Sequence, residues 1–252
     1  MGTTSRKLHN LMGQTNNTNM MKRTLIARTA ALLLLALVSL PAAGQTTTLA
    51  ARSGSKMRIE GTSNIHDWQC ESSIIGGKME VGPGFPLEPG QAVTPGKAEA
   101  NAEVFIRVRS LMSIEKDGKP YSDSMDNVMW EHMRATEDPT TKQVPYPKIE
   151  YHLTELTLKE AAKAKDAPYV FEAKGDLAVA GVTNKITMTV NVLPLGEKKL
   201  KITGITNLKM TDFKIEPPAP KIALGMIKTG DDVKLIFEWR LSPPKTPAPA
   251  AK

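Results

Sequence analysis

Val233-Lys234-Leu235-Ile236-Phe237-Glu238-Trp239-Arg240-Leu241 is the stretch on which the fold turns. Val233, Leu235, Phe237, Trp239 and Leu241 fall on one side of an extended chain. Lys234, Glu238 and Arg240, with Ile236 among them, fall on the other. Successive side chains of a strand point to opposite faces, so a period of two marks a strand with one buried face.

The same period recurs upstream. Met57, Ile59 and Gly61 share a face. Val104, Ile106 and Val108 alternate with Phe105, Arg107 and Arg109, and Ile149, Tyr151 and Leu153 with Glu150, His152 and Thr154. Tyr169, Phe171 and Ala173 form another set, as do Ile186, Met188, Val190 and Val192, and Leu200 with Ile202. Gly76-Gly77, Gly82-Pro83-Gly84, Pro89-Gly90, Pro95-Gly96, Asp117-Gly118 and Gly230-Asp231 separate the runs as turn signals. Many strands with one apolar face each predict an all-β antiparallel barrel or sandwich. Val104, Ile106, Val108, Ile186, Met188, Val190, Val233, Leu235, Phe237 and Trp239 are expected to point inward.

One segment has helical spacing. Met125, Met129 and Met133, with Val128 and His132, make a stripe between Ser124 and Ala135. Ser122, Asp123 or Ser124 can cap its start. This short helix is expected inside residues 122–137, over a barrel end. Lys159 to Lys165 favours helix by composition but lacks an apolar stripe, and reads as an exposed turn of helix or a loop.

Lys22, Arg23 and Arg28 precede an uncharged run from Ala30 to Leu40, followed by Pro41-Ala42-Ala43-Gly44. A basic start, a short apolar middle and small residues at a cleavage site make a secretory signal. The run is too short for a membrane span, which needs about 20 apolar residues. Residues 1–44 therefore read as leader and signal peptide, with cleavage near Gly44 and a periplasmic or secreted product. The formal charge is +7. The leader's five basic residues account for most of it, leaving 28 basic against 26 acidic residues, about +2. A near-neutral surface argues against nucleic acid as a partner. Cys70 is the single cysteine, so no internal disulfide is available. Residues 242–252, rich in Pro and Ala, read as a disordered tail. An exported closed sheet suggests a container, and binding rather than catalysis.

Several phrases in the ordered part, residues 53–241, carry a family resemblance. They are Ser63-Asn64-Ile65-His66-Asp67-Trp68, Tyr146-Pro147-Lys148-Ile149-Glu150-Tyr151, and Gly175-Asp176-Leu177 with Gly181-Val182-Thr183-Asn184. Thr211-Asp212-Phe213-Lys214-Ile215-Glu216-Pro217-Pro218 follows, then Met226 and Lys228-Thr229-Gly230-Asp231-Asp232-Val233. In order and spacing these resemble the YceI-like family of exported lipid-binding proteins. The resemblance implies an extended antiparallel eight-stranded lipocalin-like barrel with a short helix. It also implies an elongated apolar cavity for a polyisoprenoid chain of quinone or prenyl phosphate type. The only small molecule so implied is this isoprenoid lipid ligand, and no cofactor is expected. The segment Tyr121 to Trp130 departs from the usual family pattern, an Arg-Asp pair before a Leu and then a Phe-rich stretch.

The expected ligand residues are His66, Asp67, Trp68, Val104, Ile106, Met125, Met129, Trp130, Met133, Met188, Phe237 and Trp239. Trp68, Met125, Met129, Trp130 and Met133 are expected at the cavity rim. Trp68 offers apolar surface, and His66 or Asp67 can meet a polar head group. The same three residues also fit a structural corner, with Asp67 bonding local N–H groups and Trp68 plugging the barrel. The helical methionines fit either a pliable lipid groove or ordinary packing. His66, His132 and His152 lack metal-ligand spacing, and no metal is expected. No nucleophile elbow, zinc-protease motif or phosphate loop is present, so no enzyme activity is expected. Two functions stand: a carrier or sequestering protein for an apolar lipid, with transient membrane contact for exchange, or a structural or stress-related exported barrel filled by its own side chains.

Overall fold

The computed structural model describes residues 45–219 and 227–244. The signal peptide expected over 1–44, Met226, and the tail from residue 245 onward lie outside the described residues.

The chain forms β1 (Thr47–Ala51), β2 (Lys56–Ser63), β3 (Trp68–Ser72), β4 (Gly76–Val81), β5 (Gly96–Ala98), β6 (Ala100–Arg107) and β7 (Met112–Ser113). One helix follows, α1 (Asp123–His132). Then come β8 (Lys148–Glu160), β9 (Tyr169–Val179), β10 (Val182–Gly196), β11 (Lys199–Lys209) and β12 (Thr229–Ser242). The antiparallel order β1-β4-β6-β8-β9-β10-β11-β12 closes on itself through Ala50↔Ser242 and Ala51↔Leu241. This is a closed eight-stranded antiparallel barrel with one short helix, as the strand periods and the resemblance imply. Closure gives every strand of that ring a neighbour on both sides along at least part of its length.

Three of the eight staves are bent. β2 continues β1 along the same edge of β12, with Ile59 opposite Leu235. β3 continues β4 and pairs β2, and β7 continues β6 and pairs β3. Each bend breaks ladder hydrogen bonds, and a buried backbone group without a partner is costly. Serines repair them. The Ser55 hydroxyl accepts from the Arg240 N–H at 3.0 Å and donates to the Arg52 carbonyl at 2.8 Å. The Ser72 hydroxyl accepts from the Ile74 N–H and meets the Ser110 hydroxyl at 2.8 Å. Among the described residues the buried polar side chains are Ser55, Ser72, Ser113 and Asp126. The first two sit at bends, and the other two dock the helix.

The barrel starts earlier than the boundary expected at residue 53. β1 supplies the closing strand from Thr47, and Ser242, assigned to the tail, ends β12. Thr47 to Ala51 holds one large apolar residue, Leu49, too little for a visible period. Two hairpin turns use left-handed residues: Ala180 and Gly181 (φ 50° and 84°), and Glu197 and Lys198 (φ 53° and 56°). Paired positive φ values match the right-handed twist of the flanking strands. Lys198 and Lys199 stand at the tip of the second turn. Residues 161–166 form no helix, and Lys159 and Glu160 end β8.

Both ends are covered. At one end Phe85 stacks on Phe171 with centroids 5.6 Å apart, and the Tyr169 hydroxyl donates to the Gln91 carbonyl at 2.6 Å. At the other lie α1, the Ser63–Trp68 hairpin and the Ala180-Gly181 turn.

Candidate functional site

The inward faces enclose a cavity of about 120 Å³ bounded almost wholly by apolar atoms. Val104 and Ile106 of β6, Tyr151 of β8, Met188 and Val190 of β10, and Leu235, Phe237 and Trp239 of β12 contribute to the wall. Alternation places them there, because residues two apart share the barrel interior. Of the ten residues expected to point inward, Val104, Ile106, Ile186, Met188, Val190, Leu235, Phe237 and Trp239 line the cavity. Val108 is buried in a turn of 3₁₀ helix beyond the cavity, and Val233 packs against the core without reaching it.

The wall is not uniform. β10 pairs β11 only from Gly196↔Lys199 to Val190↔Gly204. Beyond that point β10 continues on β9 to Val182, and β11 continues on β12 to Lys209. The two strands part, and the Asn184 side-chain N–H spans the far end by donating to the Asp212 carbonyl at 2.7 Å. Ile186, Met188 and Thr206 border the parting and are half-buried, whereas Val190 and Val192 beside the intact ladder are buried. The cavity therefore has a sealed deep end and a looser flank.

Glycines let aromatic rings lie flat on the sheet. Gly61 faces Trp68 across β2 and β3, and a side chain at 61 would overlap the indole. A Cβ on Gly175 would lie 2.5 Å from Cζ of Tyr151. This gives the Gly175-Asp176-Leu177 phrase a packing role: the glycine makes room for a ring that lines the cavity.

Tyr151, Thr206 and Trp239 are the polar residues of the apolar wall. The Tyr151 hydroxyl and the Trp239 Nε1–H are buried with no hydrogen-bond partner. Burial first, and the Asp176 charge second, push the Tyr151 phenol up to about 12, so it stays neutral. Tyr151 is a cavity residue that was not among the expected ligand residues. Its alternation with Glu150 and His152 was the signal that could have found it.

Of the expected ligand residues, Val104, Ile106, Met188, Phe237 and Trp239 meet at the cavity. The others lie outside its lining. His66 and Asp67 are exposed on the hairpin. The hydroxyl that organises this hairpin belongs to Ser63: it donates to the His66 carbonyl at 2.7 Å and accepts from the Ile65 and His66 N–H groups. Asp67 does not play that part. The Trp68 indole donates to the Thr62 carbonyl at 3.1 Å and lies half-buried against the core.

The helix packs as a plug. Met133 is buried, and Met129 and Trp130 rest on the core, with Met125 half-buried. The Trp130 indole donates to the Leu111 carbonyl at 3.1 Å, and Arg109 sits 4.9 Å from the ring centroid. The buried Asp126 carboxylate accepts the Ser113 N–H and ties α1 to β7. Among the described residues no cluster of His, Cys, Asp or Glu suits a metal ion, and no helix is long and apolar enough to cross a membrane.

Residues 85–241 match the YceI-like domain. The Ser63–Trp68 phrase precedes that span. A search of curated proteins found no match. Among solved structures, BcnA of Burkholderia cenocepacia superposes with a TM-score of 0.50 at 15% identity, over 74% of this chain and 95% of that one. A polyisoprenoid binding domain from Saccharophagus degradans, implicated in plant cell wall breakdown, superposes with a TM-score of 0.55 at 11% identity, over 79% and 99%. At these identities the likeness is one of fold.

Proposed function

We propose, from the premise that this chain belongs to the YceI-like domain family, that it is an exported protein which holds an apolar lipid inside its barrel for transport or sequestration. The ligand is a polyisoprenoid of quinone or prenyl phosphate type, exchanged during transient membrane contact. The observation that carries this reading is the cavity, walled by apolar atoms and loosened where β10 and β11 part. Removing hydrocarbon from water supplies roughly 25 cal/mol per Å² buried, with no covalent chemistry. The Saccharophagus degradans neighbour, a polyisoprenoid binding domain, is consistent with that ligand class. Export rests on the basic, apolar and small-residue order of Lys22 to Gly44.

The present volume of about 120 Å³ holds one ring or a few methylenes, whereas pockets for drug-sized ligands measure roughly 300–1,000 Å³. A long chain therefore requires the half-buried Ile186, Met188, Leu235 and Phe237 to move outward. The small volume is also the observation that favours the second reading, a structural barrel filled by its own side chains. Mass spectrometry of an organic extract from natively purified protein separates the two. A stoichiometric isoprenoid lipid is the expected result. A lipid-free barrel that also takes up no added quinone or prenyl phosphate makes it the structural module.

A further inference from the structure

We infer that the lipid enters and leaves the barrel sideways, through the slot where β10 and β11 part, rather than through either end. This rests on the lipid-binding reading above and adds the route by which that site fills and empties.

The slot is bounded at both ends. Its near end is the last ladder pair, Val190 with Gly204. From there β10 runs beside β9 alone and β11 beside β12 alone. Its far end is the bond from the Asn184 amide to the Asp212 carbonyl. At about 3.3 Å per strand residue, Asn184 to Val190 makes the opening roughly 20 Å long. Just past the last pair, alternation sends Met188 and Thr206 inward, and both line the cavity. Their chain neighbours Thr189 and Ile205 turn outward, and both line a groove of about 500 Å³ on the outer wall. The same few residues of two strands thus border the cavity on one side and the groove on the other. Ile205 is 56% exposed. At the outer lip of the slot it offers an arriving hydrocarbon chain its first apolar contact.

The slot is also the least costly place to open the wall. Spreading β10 from β11 there breaks no ladder hydrogen bond, whereas parting an intact ladder breaks a run of them. Backbone groups along the two lips have no strand across from them, and such groups need water or another partner, so the lips do not seal dry. What must move is the Asn184 side chain and the half-buried Ile186 and Met188, the latter unbranched and adaptable. Either barrel end asks for more. Lifting α1 breaks the Trp130–Leu111 and Asp126–Ser113 bonds and exposes Met133 and Ala135, both buried. Opening the opposite end breaks the Tyr169–Gln91 bond and pulls the buried Phe85 off Phe171.

The test ties each route shut and measures exchange. Thr187 and Asn207 are exposed and stand at matching positions across the slot. Thr187→Cys with Asn207→Cys, bridged by a short bis-maleimide, ties the lips together; the buried Cys70 does not compete for the reagent. Arg109 lies against Trp130 of the helix. Arg109→Cys with Glu131→Cys, bridged in the same way, ties α1 down. The probe is a benzoquinone bearing a decyl tail. Stopped-flow quenching of tryptophan fluorescence reads its uptake, and dilution into phosphatidylcholine vesicles reads its release. The slot bridge should slow both rates by about tenfold at unchanged equilibrium affinity, while the helix bridge should change them by less than about twofold. Asn184→Ala needs no bridge: it should raise both rates by about threefold and leave affinity unchanged, a pattern that mere loss of structure does not give. Slowing by the helix bridge alone, equal slowing by both bridges, or no change of rate in Asn184→Ala overturns this inference and leaves the carrier reading intact. If the unbridged protein takes up neither this quinone nor farnesyl phosphate, the carrier reading falls and this inference with it.

Discussion

The Phe237 ring lies over Gly204, its direct partner across the β12–β11 ladder, and a Cβ at 204 would stand 2.5 Å from the ring's Cζ. Phe237 also lines the cavity, and the β10–β11 pairing fails just past Gly204. One glycine thus sets the position of a cavity ring at the edge of the loose flank. Gly204→Val should drive the ring inward and destabilise the barrel by about 1–3 kcal/mol, as overpacking does. It should also weaken lipid uptake, since the ring then occupies ligand space. Adding Phe237→Leu should recover much of the loss. Urea denaturation of both single variants and the double variant checks this, and additive effects would mean the two residues are not coupled.

The sealed and loose parts of the cavity should respond differently to a charge. Val192 is 1% exposed beside intact ladder, so Val192→Asp buries a carboxylate with no partner and should prevent folding. Leu235 is half-buried near the parting. Leu235→Asp should leave a folded barrel that has lost lipid binding. Circular dichroism and lipid uptake on both variants decide the matter; equal loss of fold would show that the flank is as tightly packed as the deep end.

The barrel face was legible because alternation depends only on which residues lie two apart. Trp239, Phe237 and Leu235 point where the period puts them. Alternation reports the face of a strand, not whether its neighbour is bonded, so the parting of β10 from β11 left no trace in Val182 to Thr189. The bends were hidden for a related reason. Ser55 and Ser72 look like surface serines until the broken ladders that need them are seen. The Met125, Met129, Met133 stripe correctly announced a helix, yet spacing does not say whether the stripe meets ligand or core, and Met133 meets core. His66 and Asp67 drew attention as chemically versatile residues, while Ser63 does the bonding in that hairpin. The unpartnered indole of Trp239 exists only in three dimensions.

Cys70 should be inert in the native protein and should make the barrel sensitive to alkali. Burial first, then the Asp126 charge, push the thiol up from 9.0 to about 12. A group whose pKa is raised on folding stabilises most below its unfolded value, and the benefit drains away as pH rises toward the folded value. The window is therefore roughly pH 9 to 12, and the thiol's share is on the order of 4 kcal/mol. Tyr151 titrates over an overlapping range with the same sign. Denaturation midpoints should fall steadily above pH 9, and Cys70→Ala should flatten part of that fall. Labelling by a disulfide reagent at pH 8 should require unfolding; fast labelling of folded protein would contradict the burial.

Asp126 should hold the helix on the barrel. It lies in the first turn of α1, where a carboxylate also suits the helix dipole, and is 2% exposed. Its oxygen accepts the Ser113 N–H, a donor on β7 that has no strand on its other side. Ser113 is knotted to the same segment from both directions: its hydroxyl donates to the Ser122 carbonyl at 3.1 Å and accepts the Ser122 N–H at 3.2 Å. Asp126→Ala leaves a buried N–H unpaired and should cost about 1–3 kcal/mol. Asp126→Asn keeps an acceptor and should cost less. The loss should be local, because the barrel ladders do not pass through α1. Hydrogen exchange should therefore speed up in residues 122–133 before β9 and β10 respond. Uniform acceleration across the barrel would show instead that helix and barrel unfold as one unit, and that α1 cannot swing away from the barrel end to admit a ligand.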